Sequence, residues 1–302
     1  MTKKKIIDRS HIDTEQRNPK TLALHQLNTL ECLKVMQQED LQVHEALDKA
    51  IGEINEFIES IRKGFEGDGR LIYIGAGTSG RLGVLDASEA PPTFHVDENK
   101  IIGIIAGGDC SLRKSSEGKE DDYNGAKEIL ETLALCESDA VLGIASGGTT
   151  PYVIGALDYV KQCGPKVKTA FMTCSKVVPS PFVDHMIVLE TGPEVLTGST
   201  RLKAGTATKM ALNMISTTLM VQTGRVYKNY MVDMKASNDK LYDRALRIIE
   251  DLTELNREKA IELLESAKLH VKTALVMFNL NLDHDKAIEA LKNVKGKLDQ
   301  LI

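Results

Sequence analysis

Three short segments of the chain combine glycine with serine and threonine. They read YIGAGTSGRLG from Tyr73, GIASGGTTPYV from Gly143 and TGSTRLKAGTATK from Thr197. Residues of these types bind phosphate through backbone N–H groups and hydroxyls, and a helix that starts in such a loop adds its positive dipole end. The predicted ligand contacts are Thr78, Ser79, Gly80, Ser146, Gly147, Thr149, Thr150, Ser199, Thr200, Arg201 and Lys203. Arg201 and Lys203 have an equally good alternative interpretation as surface charges.

The elements that must position these loops are read from the hydrophobic pattern. Helical patterns alternate with five short, nearly continuous apolar runs: RLIYIG, IIGIIAGG, AVLGIASGG, KTAFMTC and HMIVLE. Strands that are apolar on both faces and alternate with helices predict an α/β fold, a parallel sheet covered by helices on both sides. Ligands bind at the carboxyl edge of such a sheet. The three loops are therefore expected to lie close together.

The two ends of the chain lack this alternation. We expect a polar, extended arm up to about residue 20 and helices over 21–66. A long Met-rich helix is expected over 204–223, and several short helices follow from about residue 241. The predicted domains are an N-terminal arm with helices (1–50), a phosphate-binding domain (51–235) and a small C-terminal helical domain (236–302).

The first loop also matches a dinucleotide-binding pattern. Gly75, Gly77 and Gly80 satisfy G-x-G-x-x-G, but the acid that ends the second strand is Asp109, 34 residues after Gly75 rather than about 20. The pair Pro91–Pro92 is expected to break the first helix. A dinucleotide and a turn that only packs a helix on a strand remain alternatives. Three hydroxyl-rich loops at one edge favour a sugar phosphate.

Composition excludes several classes of function. The net charge of −5, the 4% aromatic content and the absence of Trp argue against a nucleic-acid surface. Five dispersed cysteines are typical of reduced thiols in the cytoplasm, and the seven scattered histidines predict no metal site. No segment has the pattern of a signal peptide or a membrane span. We expect a cytoplasmic protein without metal, membrane or nucleic-acid partner.

Four segments together resemble a known family. They are IGAGTSGRLGVLDASEAPPTF, EGKEDD, TGSTRLKAGTATKMALNMIST and VYKNYMVDMKASNDKL. The chain is similar to the N-acetylmuramic acid 6-phosphate etherases, which have the sugar isomerase (SIS) fold. The resemblance implies a homodimeric lyase without a cofactor. It would cleave the D-lactyl ether of N-acetylmuramic acid 6-phosphate to N-acetylglucosamine 6-phosphate and D-lactate, in the recycling of cell-wall sugars.

Two glutamates match the catalytic positions of that family. The resemblance implies that Glu89, in DASEAPP, is the acid that protonates the departing lactyl oxygen. Glu120, in EGKEDD, would be the base that removes the C2 proton. Two carboxylates in environments that separate their pKa values would suffice for this chemistry. From residue type alone, Glu120 is more often a charge at a helix start, and Glu117 and Asp121 compete with it on the same turns. A capping or turn role is an equal alternative for Glu89.

The second loop departs from the family pattern. The usual A-A-S-G-R-T-P-Y reads ASGGTTPY here, so Gly147 stands where serine is typical and Thr149 replaces arginine, with Ser146 as a neighbouring hydroxyl. The main alternative function is a non-catalytic sugar-phosphate sensor, like the glucokinase regulatory proteins, which are longer and carry a duplicated domain. A sugar-phosphate isomerase would need only one of the two glutamates. A transcription regulator of this fold would need a basic helix-turn-helix domain.

Overall fold

The computed structural model describes residues 8–163, 166–236 and 238–302, without the side chains of Glu117 and Cys163. The strands are β1 (Leu71–Gly75), β2 (Ile101–Ile105), β3 (Ala140–Ile144), β4 (Lys168–Thr173) and β5 (His185–Val188). The helices are α1 (Thr29–Asp40), α2 (Gln42–Glu66), α3 (Gly77–Phe94), α4 (Cys110–Arg113), α5 (Glu117–Glu120), α6 (Lys127–Leu133), α7 (Pro151–Cys163), α8 (Lys203–Gln222), α9 (Asp239–Thr253), α10 (Arg257–Ser266), α11 (Val271–Leu280) and α12 (His284–Asn293).

The five strands form one parallel sheet in the order β2-β1-β3-β4-β5. All five apolar runs of the sequence are strands, so the predicted parallel α/β sheet is confirmed. The chain leaves β1 toward β2 on one side and later leaves β3 toward β4 on the other side. The strand order therefore reverses between β1 and β3, and ligands bind at such a reversal in open parallel sheets.

Helices cover both faces of the sheet because successive side chains of a strand point to opposite faces. Every residue of β1 and of β3 is buried. Ile72 and Ile74 pack with Val153 and Leu157 of α7 in one apolar cluster. On the opposite face, the hydroxyl of Tyr73 donates a hydrogen bond to Asp86 of α3, at 3.0 Å. Consequently α3 and α7 leave their strands on different sides of the sheet.

Two local predictions were wrong. The pair Pro91–Pro92 does not break the first helix: α3 includes both prolines and ends at Phe94, and the N–H of His95 donates to the carbonyl of Pro91 at 2.9 Å. The missing N–H groups affect only the last turn of the helix. The N-terminal arm is also not simply extended and polar, because it forms three short 3-10 turns and fully buries Thr14.

The chain divides into two compact units. The first consists of residues 1–87 and 99–215, and the second of residues 88–98 and 216–302. The second unit contains α9 to α12, whose apolar faces form one buried cluster around residues such as Leu246, Ile249 and Leu275. In the part of the chain that the structure describes, no helix is both long enough and apolar enough to cross a membrane.

The glycines after β1 allow that strand and α3 to approach closely. An added Cβ on Gly75 would lie 2.6 Å from the backbone nitrogen of Gly80, and one on Gly80 would lie 2.7 Å from the carbonyl oxygen of Gly75. Gly77 has a φ of +52°, in the left-handed region that favours glycine. The G-x-G-x-x-G spacing is thus explained by packing between a strand and a helix.

We therefore expect Gly80→Ala to destabilise the protein by about 1–3 kcal/mol through overpacking against backbone. The matched control is Gly52→Ala in α2, where an added Cβ meets nothing within 4 Å. That substitution should stabilise the helix by about 0.5–1 kcal/mol. Urea unfolding of both variants measures the difference, and equal stabilities would contradict the close-packing explanation.

Candidate active site

A cavity of about 350 Å³ opens at the carboxyl edge of the sheet, in the first unit, where the strand order reverses. The loops after β1 and β3 both line it. Among the predicted ligand contacts, those that line it are Thr78, Ser79, Ser146, Gly147, Thr149, Thr150 and Thr200. Glu120, the predicted base, lines the same cavity at the end of α5. The structure therefore brings one predicted catalytic carboxylate together with all three hydroxyl-rich loops.

The first loop provides a helix N-terminus. Thr78 and Ser79 are in the first turn of α3, whose N–H groups have no acceptor within the helix. Free N–H groups and the positive end of an 18-residue helix favour an anion at this point. Gly80 does not line the cavity, because it is buried against β1. Its part in the site is to hold the first turn of α3 at the strand end.

The second loop is closed by a tight turn. The N–H of Gly148 donates to the carbonyl of Ala145 at 2.8 Å, and Gly148 has a φ of +69°. A Cβ on Gly148 would overlap Val177, whereas one on Gly147 would meet only Ile12 at 3.6 Å and Thr14 at 3.8 Å. The turn directs Ser146, Gly147, Thr149 and Thr150 along the cavity wall before α7 begins at Pro151.

The N-terminal arm also lines the cavity, which the sequence interpretation missed. Arg9, Ile12 and Glu15 contribute to its wall. Hydrogen bonds of the Thr14 backbone hold the arm. The N–H of Gly198 donates to the carbonyl of Thr14 at 3.2 Å, and the N–H of Thr14 donates to Ser175 Oγ at 3.2 Å. The apolar Ile12 between polar residues is a signal in the sequence that the arm packs.

Lys203 lies inside the protein rather than in the cavity wall. Its side chain is fully buried, and its ammonium donates to Glu39 Oε2 at 2.9 Å and to Gln42 Oε1 at 3.0 Å. Burial alone would raise the pKa of Glu39, but hydrogen bonds from Lys20, Lys203 and Asn18 outweigh it and lower that pKa to about 2. The ammonium of Lys203 therefore forms hydrogen bonds inside the protein, at the start of α8.

The remaining predicted residues lie elsewhere. Ser199 and Arg201 flank Thr200 in the third loop without lining the cavity. Glu89 is an exposed residue of α3 and belongs to the second unit. It does not line this cavity. The structure of one chain therefore does not bring the two predicted catalytic glutamates into one cavity wall.

A second cavity, of about 470 Å³, lies within the second unit. Its buried cation is Lys272, whose ammonium is 2.6 Å from Asp233 Oδ1 and donates to the carbonyls of Gly224 and Gly296 at 2.8 and 2.9 Å. All three N–H donors of Lys272 are thus directed at protein groups. Since none of the predicted ligand contacts and neither predicted catalytic glutamate lines this larger cavity, we locate the candidate site in the first unit.

Comparison with known proteins identifies the family. A model described as the glucokinase regulatory protein N-terminal SIS domain matches residues 51–161, and one described as the C-terminal lid domain of glucokinase regulatory protein matches residues 228–281. An N-acetylmuramic acid 6-phosphate etherase from Bacillus mycoides is 48% identical over 287 residues, which cover 95% of this chain and 97% of the relative. The chain belongs to the N-acetylmuramic acid 6-phosphate etherase family.

A second family member, from Bacillus cereus, is 47% identical with the same coverage of both chains. The resemblance inferred from the sequence motifs is therefore confirmed, and the sheet with its flanking helices is an SIS fold. Among solved structures, a phosphoheptose isomerase from Neisseria gonorrhoeae aligns with 64% of this chain and 99% of its own, at 13% identity and a TM-score of 0.45.

The buried pair formed by Lys203 and Glu39 gives a stability prediction. We expect Lys203→Met to lower the free energy of unfolding by about 3–5 kcal/mol at pH 7, because it leaves a buried carboxylate with fewer partners. Lys209→Met, at an exposed position of the same helix, is the matched control and should change little.

The effect of Lys203→Met should depend on pH. The pKa of Glu39 is about 2 in the folded protein and 4.5 in its ordinary state, so the stabilisation is complete above pH 4.5 and is lost as the pH falls toward 2. Urea unfolding at pH 7 and pH 3 should show a smaller difference between wild type and variant at pH 3. A difference that stays the same or grows would contradict this role of the ion pair.

Proposed function

We propose that the chain cleaves the lactyl ether of N-acetylmuramic acid 6-phosphate by elimination and then adds water, as a carbon–oxygen lyase of cell-wall sugar recycling. The observation that carries the proposal is the position of Glu120, a catalytic residue by family resemblance, beside three hydroxyl-rich loops in one cavity. Relatives covering 95% of the chain are named for this activity. The cytoplasmic location and the homodimer stay predictions from the sequence.

The phosphate is best accommodated at the first turn of α3. Thr78 and Ser79 offer hydroxyls there, and the helix offers N–H groups and the positive end of its dipole. Ser146, Thr149 and Thr150 face the same space from the second loop. A phosphate held at this end directs the sugar along the cavity, toward the wall that carries Glu120.

The proposed reaction needs two proton transfers and no redox step. In the ring-opened sugar, the C1 aldehyde makes the C2 proton acidic, and the carboxylate of Glu120 removes it. The electron pair forms a C2–C3 double bond while the C3–O bond breaks, and Glu89 donates a proton to the departing lactyl oxygen. Water then adds its oxygen to C3, and C2 regains a proton. Each of the two groups is expected to contribute about 10²–10⁴-fold in rate.

The length of α3 bears on how Glu89 takes part. Glu89 comes twelve residues after Gly77 in the same helix. At about 1.5 Å per residue, twelve residues of α-helix correspond to roughly 18 Å. A hexose whose phosphate binds at the first turn is much shorter than this distance. We therefore assign the acid role to Glu89 of a second copy of the chain, so that each active site of a homodimer would combine residues of both subunits.

The mechanism predicts the fate of labelled water. With N-acetylmuramic acid 6-phosphate in H₂¹⁸O, the chain should release unlabelled D-lactate and place ¹⁸O at C3 of the sugar, as detected by mass spectrometry. Label in the lactate would contradict elimination. Binding without any lactate release would favour the sugar-phosphate sensor.

The two glutamates should be essential for that turnover. Glu89→Gln and Glu120→Gln should each lower kcat by about 10²–10⁴-fold with little loss of stability, since both side chains are exposed. Glu98→Gln and Glu128→Gln replace exposed glutamates in neighbouring segments and are the matched controls. Full activity in Glu89→Gln or Glu120→Gln would remove that residue from its role.

Mixing the two inactive variants tests whether the site is shared. If Glu120 of one subunit works with Glu89 of the other, a mixed dimer of Glu89→Gln and Glu120→Gln chains has one intact site. Random exchange of equal amounts should then restore about a quarter of wild-type activity. If both glutamates act within one chain, every site lacks one of them, and mixing restores nothing.

A further inference from the structure

The charges that line the candidate cavity are unevenly distributed. Glu15, Glu120 and Asp121 contribute three carboxylates. Among the described residues of the wall, Arg9 is the one lysine or arginine. Three carboxylates disfavour a phosphate dianion in this cavity, and Arg9 is the side chain of the wall whose positive charge attracts one. The cationic candidates from the sequence do not supply that charge, because Lys203 is buried and Arg201 lies outside the wall.

Arg9 contacts the loop at the residue that departs from the family pattern. Its Nε–H donates to Thr149 Oγ1 at 3.3 Å, and position 149 is where the pattern has arginine. A guanidinium has five N–H donors, so this bond leaves the four on its two terminal nitrogens. These are the donors that bind a phosphate in a bidentate manner. Arg9 thus brings a guanidinium to the loop position where the family pattern has an arginine.

The arm that carries Arg9 is anchored to two other segments of the chain. Ile12 is buried, and Thr14 forms backbone hydrogen bonds with Ser175 Oγ and with the N–H of Gly198. The N–H of Ile12 also donates to the carbonyl of Arg9 at 3.0 Å, which closes a turn directly after that residue. This anchoring limits the conformational entropy that Arg9 loses when an anion binds.

We propose that Arg9 is the cation of the phosphate subsite, so that the N-terminal arm replaces the loop arginine in binding the substrate. The assignment rests on the proposed function only in taking a sugar phosphate as the ligand. It predicts that the phosphate group, and not the sugar, is what Arg9 recognises. It also predicts that an arginine at position 149 can bind the phosphate when Arg9 is removed.

The experiment measures binding of N-acetylglucosamine 6-phosphate and of N-acetylglucosamine by calorimetry. Arg9→Ala should weaken binding of the phosphorylated sugar by about 10- to 100-fold, the range of a hydrogen bond to a charged group. Binding of the unphosphorylated sugar should not change. Arg62→Ala, on the solvent side of α2, is the matched control. The double variant Arg9→Ala/Thr149→Arg should recover most of the lost affinity.

The result that overturns the assignment is an Arg9→Ala protein that binds the phosphorylated sugar as tightly as wild type. Equal weakening for both sugars would also overturn it, because that pattern indicates a disturbed cavity rather than a lost phosphate contact. D-lactate release is measured in parallel to separate the two proposals. A wild-type chain whose sugar-phosphate binding depends on Arg9, but which releases no lactate, contradicts the proposed reaction and supports the role of Arg9.

Discussion

The position of β1 between β2 and β3 is the constraint on which the site depends. Because the chain leaves β1 and β3 in opposite directions, α3 and α7 start on opposite faces of the sheet, and the loops before them diverge. The space between these loops is the cavity. The close contact between Gly75 and Gly80 holds the first turn of α3 at its rim. The chemistry of the loops then follows from which residues the sequence places there, and this chain places mainly hydroxyls and glycine.

A single buried carboxylate links the segments that surround this cavity. Glu39 accepts hydrogen bonds from Asn18 and Lys20 of the arm and from Lys203 at the start of α8. The desolvation of such a carboxylate is unfavourable, and its three donors offset that penalty, which is why its pKa falls to about 2 despite burial. Glu194, also buried, accepts from the first N–H groups of α8. The start of α8, where the third loop ends, is therefore fixed by two carboxylates that do not line the candidate cavity.

The parts of this structure that the sequence predicts are those determined by local pattern. Five apolar runs predicted five strands, and hydroxyl-rich loops after β1 and β3 predicted the place of the cavity, because parallel strands end at the same edge. The predictions that failed concern residues whose hydrogen-bond partners are distant in the sequence. Thr14 is buried and hydrogen-bonded to Ser175, 161 residues away, and no periodicity indicates such a contact. Lys203 stands in a segment whose composition is typical of a ligand site, but its ammonium bonds to Glu39, 164 residues earlier. Glu89 precedes both prolines, and its position twelve residues after Gly77 in α3 accounts for its absence from the cavity wall.

The proposed reaction requires the cavity to hold a phosphate dianion and an ionised base together. The dianion and the carboxylate of Glu120 repel each other, and a cation close to the phosphate weakens that repulsion. An arginine in the loop would be positioned by the turn at Gly148. The position of an arginine on the arm depends instead on the contacts that hold the arm in place. If Arg9 binds the phosphate, then Thr14, Asn18 and Thr21, which do not line the cavity, support that binding through the hydrogen bonds that hold the arm. Loosening the arm would weaken phosphate binding before it unfolded the sheet, since none of these bonds belongs to the strand ladder.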